Sequence, residues 1–228
     1  MCGRFSLAVS ENKIQEELPF VDPGSNLRIS YNIAPTQHAY VVTDDQPDRL
    51  QYITWGLVPY WSEEGKNTGK LINARSEGIE SKPSFRVPIR KRRCLVLADS
   101  FYEWRTIDHK KIPYRILPKD GSLLVMAGIW DLWEKDGYPI KSFSIITTTP
   151  NREIGSLHNR MPVILPTNRD RQKWLDLLEI EEALEFLHPP KDGYFKIYRV
   201  SDDLNSPRNN MPELHQEVQE NLDLFSQR

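Results

Sequence analysis

The chain predicts a single α+β domain: a mainly antiparallel, curled, barrel-like β-sheet with a few peripheral helices. Three observations carry that expectation. Its 228 residues suit one sizeable domain that can bury a core without staples. Runs rich in Val, Ile, Thr and aromatic residues outnumber segments with a helical period. The 17 prolines and 11 glycines are scattered, so many short elements must be joined by turns, with no linker between domains.

In chain order, residues 10–18 (SENKIQEEL) read as a short helix, with Ser10 as N-cap and Ile14 and Leu18 on one face. Strands are expected at His38–Thr43, Leu50–Trp55, Cys94–Ala98, Leu123–Trp130, Ser142–Thr149 and Tyr194–Val200. Residues 168–187 hold the best helical period, with Trp174, Leu175, Leu178 and Leu184 on a shared side and Pro189 just beyond. The domain is expected over residues 1–215, followed by a polar C-terminal tail at 216–228.

Composition narrows the function classes. At 39% hydrophobic and 27% charged the chain is an ordinary globular mix. It has no apolar run near the roughly 20 residues that cross a bilayer, and no signal-peptide pattern, so a cytoplasmic protein without a membrane partner is expected. The net charge of −2 gives no global basic signal, but SKPSFRVPIRKRR (81–93) is a local one, and an acidic stretch at 174–187 offsets it. Cys94 in CLVLA reads as a small buried hydrophobe. The cysteines and five histidines lack paired ligand spacing, so neither a metal nor a cofactor is expected.

Cys2 has no such core explanation. Once Met1 is removed it carries an α-amine and a thiol on adjacent carbons, titrating near roughly 7.7–8.0 and 8.5. The amine can attack an aldehyde to give an imine, and the thiol can close on the imine carbon to form a thiazolidine. That second step is intramolecular and so gains from proximity. Elsewhere, residues two apart pair a reactive or hydrogen-bonding group with an arginine: Cys2 with Arg4, Asn73 with Arg75 in LINARSE, and His158 with Arg160 in HNRMP. Glu103 lies among aromatics in DSFYEW, where a raised pKa would suit proton transfer. Taken singly, each has a bland reading as a surface ion pair, a turn residue or a chance spacing.

Taken together, MCGRF, YNIAP, WGLVPYW, INAR, SFYEW, GIW, HNRMP and SPRNN appear in an order that resembles the SOS-response-associated peptidase family, of a bacterial or prophage type, from Cys2 to about Glu213. The resemblance implies crosslinking of Cys2 to an abasic site in single-stranded DNA through a thiazolidine. It assigns Asn73 to hold the Cys2 end and the opened sugar, Glu103 to assist sugar opening and reversal, and His158 to shuttle protons. It assigns Arg4, Arg75 and Arg160 to phosphates on either side of the lesion, which suits the planar arginine fork. Pro35 would press on neighbouring bases, Trp61 and Trp104 would stack or wedge, and Thr147 would reach a phosphate. Ser62 stands where other members can carry a second aromatic. The basic run at 82–93 would join the strand-tracking groove. The expected partner is single-stranded DNA containing abasic sites, with single-strand/duplex junctions left open, bound by a monomer that becomes nucleoid-associated on DNA. Rival readings are an abasic-site lyase working by imine formation and β-elimination, an autopeptidase of the N-terminal nucleophile type, and a purely non-covalent binding module.

Overall fold

The computed structural model describes residues 2–66, 69–176 and 179–218. Its strands run β1 (Phe5–Leu7), β2 (Ser30–Ile33), β3 (His38–Thr43), β4 (Gln46–Trp55), β5 (Asn73–Arg75), β6 (Arg93–Ala98), β7 (Ser100–Ile107), β8 (Lys110–Pro118), β9 (Leu124–Lys135), β10 (Tyr138–Thr148), β11 (Met161–Pro162) and β12 (Phe195–Arg199). Short helices lie between them: α1 (Glu11–Glu17), α2 (Pro88–Lys91), α3 (Arg152–Gly155), α4 (Asn168–Leu175) and α5 (Ile180–Glu185).

Two sheets organise these elements. One runs β12-β8-β7-β1-β2, and its pairings are antiparallel. In the other, the order β10-β4-β3-β6-β9 closes because β9 pairs again with β10, which makes a five-stranded barrel and removes its free edges. The expected α+β, barrel-like, mainly antiparallel architecture is therefore present. Two parallel pairings depart from it: β10 runs parallel to β4 and to β5.

The core explains the strand patterns. Leu95, Leu97, Val125, Ala127, Phe143 and Ile145 are fully buried, as is Cys94. A Cβ placed on Gly128 would lie 2.8 Å from Cys94 Sγ and 2.9 Å from Val96 Cγ2, so only glycine fits where β9 crosses β6. Trp174 of α4 is buried against β6 and donates to Cys94 O at 3.0 Å.

Ser10 caps α1 as expected, accepting from Lys13 N. The helix expected at 168–187 is instead two, α4 and α5; α4 ends where Asp176 turns extended, and Leu178 lies outside the described residues. Of the expected tail, residues 219–228 also lie outside them.

The basic run divides between core and surface. Arg93 is fully buried and donates to Ile89 O, Trp174 O and Asp176 O. Arg92 pairs with Asp131, and Arg90 donates to Glu80 O and Arg86 O. A buried guanidinium needs this many acceptors, so Arg93 clamps the barrel, while Arg86, Arg90 and Lys91 stay exposed. A second polar network lies under the five-stranded sheet. Asp99 accepts from Ser6 Oγ and Ala8 N at 2.5 Å each, Arg115 reaches Tyr198 Oη at 2.7 Å, and Tyr198 donates to His215 O.

Candidate active site

Cys2 is fully buried just before β1, at the seam between the two sheets. Its carbonyl accepts from Asn73 Nδ2 at 2.9 Å, which ties the chain terminus to β5 on the barrel side. Asn73 stands at the head of a three-residue strand whose one partner among the described residues, β10, fixes its register as Asn73 opposite Ile145 and Arg75 opposite Thr147. Asn73 Oδ1 is buried and accepts no hydrogen bond from any described residue.

Glu103 enters from β7 on the opposite sheet and is almost fully buried. Burial raises its pKa above the usual carboxylate range, against the pull of His158, whose Nδ1 lies 4.0 Å from Glu103 Oε1. Burial likewise pushes the Cys2 thiol well above its ordinary value, with the nearby Glu103 carboxylate adding to the effect. Cys2 is therefore held as a thiol and not as a standing thiolate.

His158 closes the turn before β11. Its Nδ1 lies 3.0 Å from Arg160 N and 3.1 Å from Arg160 O, so the backbone of Arg160 fixes the ring's orientation. Arg160 is 9% exposed. Its Nη1 donates to Glu77 Oε1 at 2.6 Å, and its Nη2 donates to Thr147 O and Oγ1. Thr147 is fully buried beneath it. The Thr147 oxygens therefore orient Arg160.

Arg4 is held as firmly. Its Nη1 donates to Asn32 Oδ1 at 2.7 Å and Leu204 O at 3.0 Å, and its guanidinium stands 5.7 Å from the Trp104 ring centre. Trp104 in turn donates to Asn205 Oδ1 at 2.7 Å. Arg75 projects into solvent beside Lys82, whose ammonium caps the carbonyls of Arg75 and Glu77.

The remaining expected residues lie on the flanking loops. Pro35 is half-buried at a corner where Thr36 takes φ 72°, held by Thr36 N–H to Trp55 O at 2.9 Å. Trp61 is 52% exposed, so it does not serve as core. Its loop is pinned from below, because Trp133 packs on Gly65 and donates to Ser62 O at 2.6 Å. The fold therefore gathers Cys2, Asn73, Glu103, His158, Arg160 and Thr147 into one linked cluster, with Arg4 and Trp104 joined beside it; Pro35 and Trp61 stand apart on exposed loops. Among the described residues no group of His, Cys, Asp and Glu could hold a metal ion.

Sequence reasoning missed Asn32, Glu77 and Asn205. Asn32 and Glu77 sit inside segments already singled out, YNIAP and LINARSE, but nothing in their spacing marks them as partners of Arg4 and Arg160 across the fold.

Comparison with known proteins identifies relatives of the whole chain. A family model described as SOS response associated peptidase (SRAP) matches residues 1–207. The abasic site processing protein YoqW of Bacillus subtilis is 41% identical over 221 residues, spanning 94% of this chain and 98% of that one. The abasic site processing protein HMCES of Gallus gallus is 32% identical over 93% of this chain and 76% of its own length. Among solved structures, a protein from Bacteroides thetaiotaomicron superposes with a TM-score of 0.85 at 33% identity, covering 96% of this chain and 100% of that one.

Proposed function

The chain belongs to the SOS response associated peptidase family, and from that premise we propose that it senses abasic sites in DNA and shields them through a covalent bond to Cys2. Its role is DNA processing, as the names of its relatives say of them. Single-stranded DNA is the substrate this reading favours, because the exposed ring of Trp61 can stack on an unpaired base.

The observation that carries the reading is the placement of Cys2. Its backbone is gripped by Asn73 while a buried acid and a histidine from two other segments stand beside it. After Met1 leaves, the α-amine lies beside Glu103, whose burial favours proton uptake by its carboxyl. Glu103 protonates the ring oxygen of the abasic deoxyribose, which opens to the aldehyde. The amine adds to the aldehyde carbon, and loss of water, with His158 relaying the protons, leaves an imine. The thiol sulfur then adds to the imine carbon while its proton passes to the nitrogen, giving the thiazolidine with no further loss of atoms. Burial disfavours the thiolate, so the order is amine first and sulfur second. Asn73 Oδ1 gains a donor from the freed amine or the opened sugar, which relieves a buried acceptor that would otherwise cost about 1–3 kcal/mol. Arg4, Arg75 and Arg160 meet the flanking phosphates.

A direct test mixes untagged protein with a uracil-containing oligonucleotide, with and without uracil glycosylase, on a denaturing gel. A shifted band that appears only after glycosylase treatment is expected, and a residue fixed ahead of Cys2 should abolish it. A band with intact uracil, or none with the abasic strand, overturns the reading. Met1 removal by the chain itself is the finer proposal; if Glu103→Ala or Asn73→Ala protein still loses Met1 by mass, an aminopeptidase removes it instead. The buried thiol also supports a lyase side reaction, since an imine that waits for sulfur can eliminate.

A further inference from the structure

The outer face of the β3–β4 hairpin carries rings that the Cys2 centre does not use. Tyr40 and Tyr52 lie opposite each other in the antiparallel register, so their side chains leave the same face, and His38 joins them two residues earlier. The ring centres of Tyr40 and Tyr52 are 4.7 Å apart and those of His38 and Tyr52 are 5.3 Å apart. Cross-strand ring pairing stabilises a sheet and accounts for Tyr40 against Tyr52. It does not account for what gathers above them. The Arg28 guanidinium stands 5.4 Å from the Tyr52 ring centre, and its backbone N–H donates to Tyr40 Oη at 3.0 Å. Tyr52 remains 41% exposed and Ile29 50% exposed. Together they border an open cavity of about 450 Å³ that Ser30 and Asn210 also line.

The position matters as much as the chemistry. Ile33 and Gln37 line the same cavity and flank the corner that carries Pro35. Asn32, one residue before Ile33, holds Arg4 beside the Cys2 cluster. The cavity therefore lies beside the corner that carries Pro35. We propose that it is a second base subsite for single-stranded DNA, in which an unstacked nucleobase some nucleotides from the lesion stacks on the Tyr52–His38 surface while Arg28 faces a backbone phosphate. Aromatic rings accept any base, since every base has a π-face, and an arginine beside them adds both cation–π attraction and phosphate charge. Asn210 has its oxygen engaged by Tyr31 N–H at 2.7 Å, which leaves its NH2 to donate to a base edge or phosphate. The inference rests on the proposed engagement of single-stranded DNA.

The test compares wild type, Tyr52→Ala and Tyr52→Phe on undamaged oligothymidylates, one long enough to span from the lesion site to the hairpin and one too short. Binding is read by fluorescence anisotropy, and crosslinking of matched abasic oligonucleotides is read on gels. Loss of one stacked base weakens binding about 5-fold or more. That loss is expected for Tyr52→Ala on the long strand alone, with Tyr52→Phe close to wild type. Equal affinity of Tyr52→Ala and wild type on the long strand overturns the subsite, and so does an equal loss on both lengths. Failure of wild type to crosslink any abasic strand would instead overturn the proposed function, while the anisotropy arm still decides the subsite.

Discussion

Replacing Glu77 by glutamine should make the protein bind DNA more tightly. In the free protein Arg160 is not waiting for a phosphate: its Nη1 already donates to the Glu77 carboxylate at 2.6 Å, and its Nη2 is held by Thr147. Glu77 thus stands in for the anion that Arg160 is proposed to receive, and a phosphate must displace it. The Glu77 side chain is 56% exposed, so solvent screening keeps this pair within roughly 0.2–1 kcal/mol. Losing that competition strengthens binding by up to about 5-fold. Arg160 then counts fully toward phosphate neutralisation, and the log–log salt dependence on single-stranded DNA should steepen by about 0.7. The hydrogen bond to Arg160 holds the Glu77 carboxyl below its usual range. The pair is therefore intact above the ordinary value near roughly 4.3 and is lost only as pH falls through the lowered one. Wild type and Glu77→Gln should accordingly differ at neutral pH. The assay is anisotropy of a labelled undamaged strand across a salt series. Matching affinities and slopes would refute the idea that Glu77 occupies a phosphate position.

Three further outcomes follow from the geometry. Cys2→Ala with its α-amine retained should lose the heat-stable adduct and leave strand scission; a persistent adduct on a denaturing gel would sink the thiazolidine. Burial lowers the His215 pKa to about 4, so the folded state resists protonation that the unfolded chain accepts near roughly 6.5, and stability should decline as pH falls between those values. Urea midpoints across pH 4–7 would show this slope flattened in His215→Gln, and an unchanged slope would exclude His215 as its source. Gly128→Ala should cost about 1–3 kcal/mol in urea unfolding, because the new methyl meets Cys94 Sγ at 2.8 Å and Ser144 O at 3.1 Å; a neutral result would mean that β6 can move away.

Several elements were legible because local physics decides them. Ser10 caps α1, and β3 runs from His38 to Thr43, because capping chemistry and β-branched runs act within a few residues. The β7–β8 hairpin was not legible. Its turn is Asp108–His109, both with positive φ and neither a glycine, so the usual turn signal is absent. β5 is three residues long and exists only because β10 accepts it as a parallel partner. The candidate residues were nameable from the sequence, but their contacts were not. Cys2, Asn73, Glu103 and His158 could be named from their chemistry and family motif. That Arg93 is buried structure despite lying in the most basic run, or that Thr147 serves Arg160 from below, depends on partners about 80 and 13 residues away.

The seam between the two sheets also has a consequence for biosynthesis. Cys2 leaves the ribosome first, while Asn73, Glu103 and finally His158 and Arg160 follow much later. Until the barrel closes, the emerging end has a cysteine but neither the amide that grips it nor the acid and imidazole that stand beside it in the fold. The grip on Cys2 is therefore assembled last, at the position that synthesis made first.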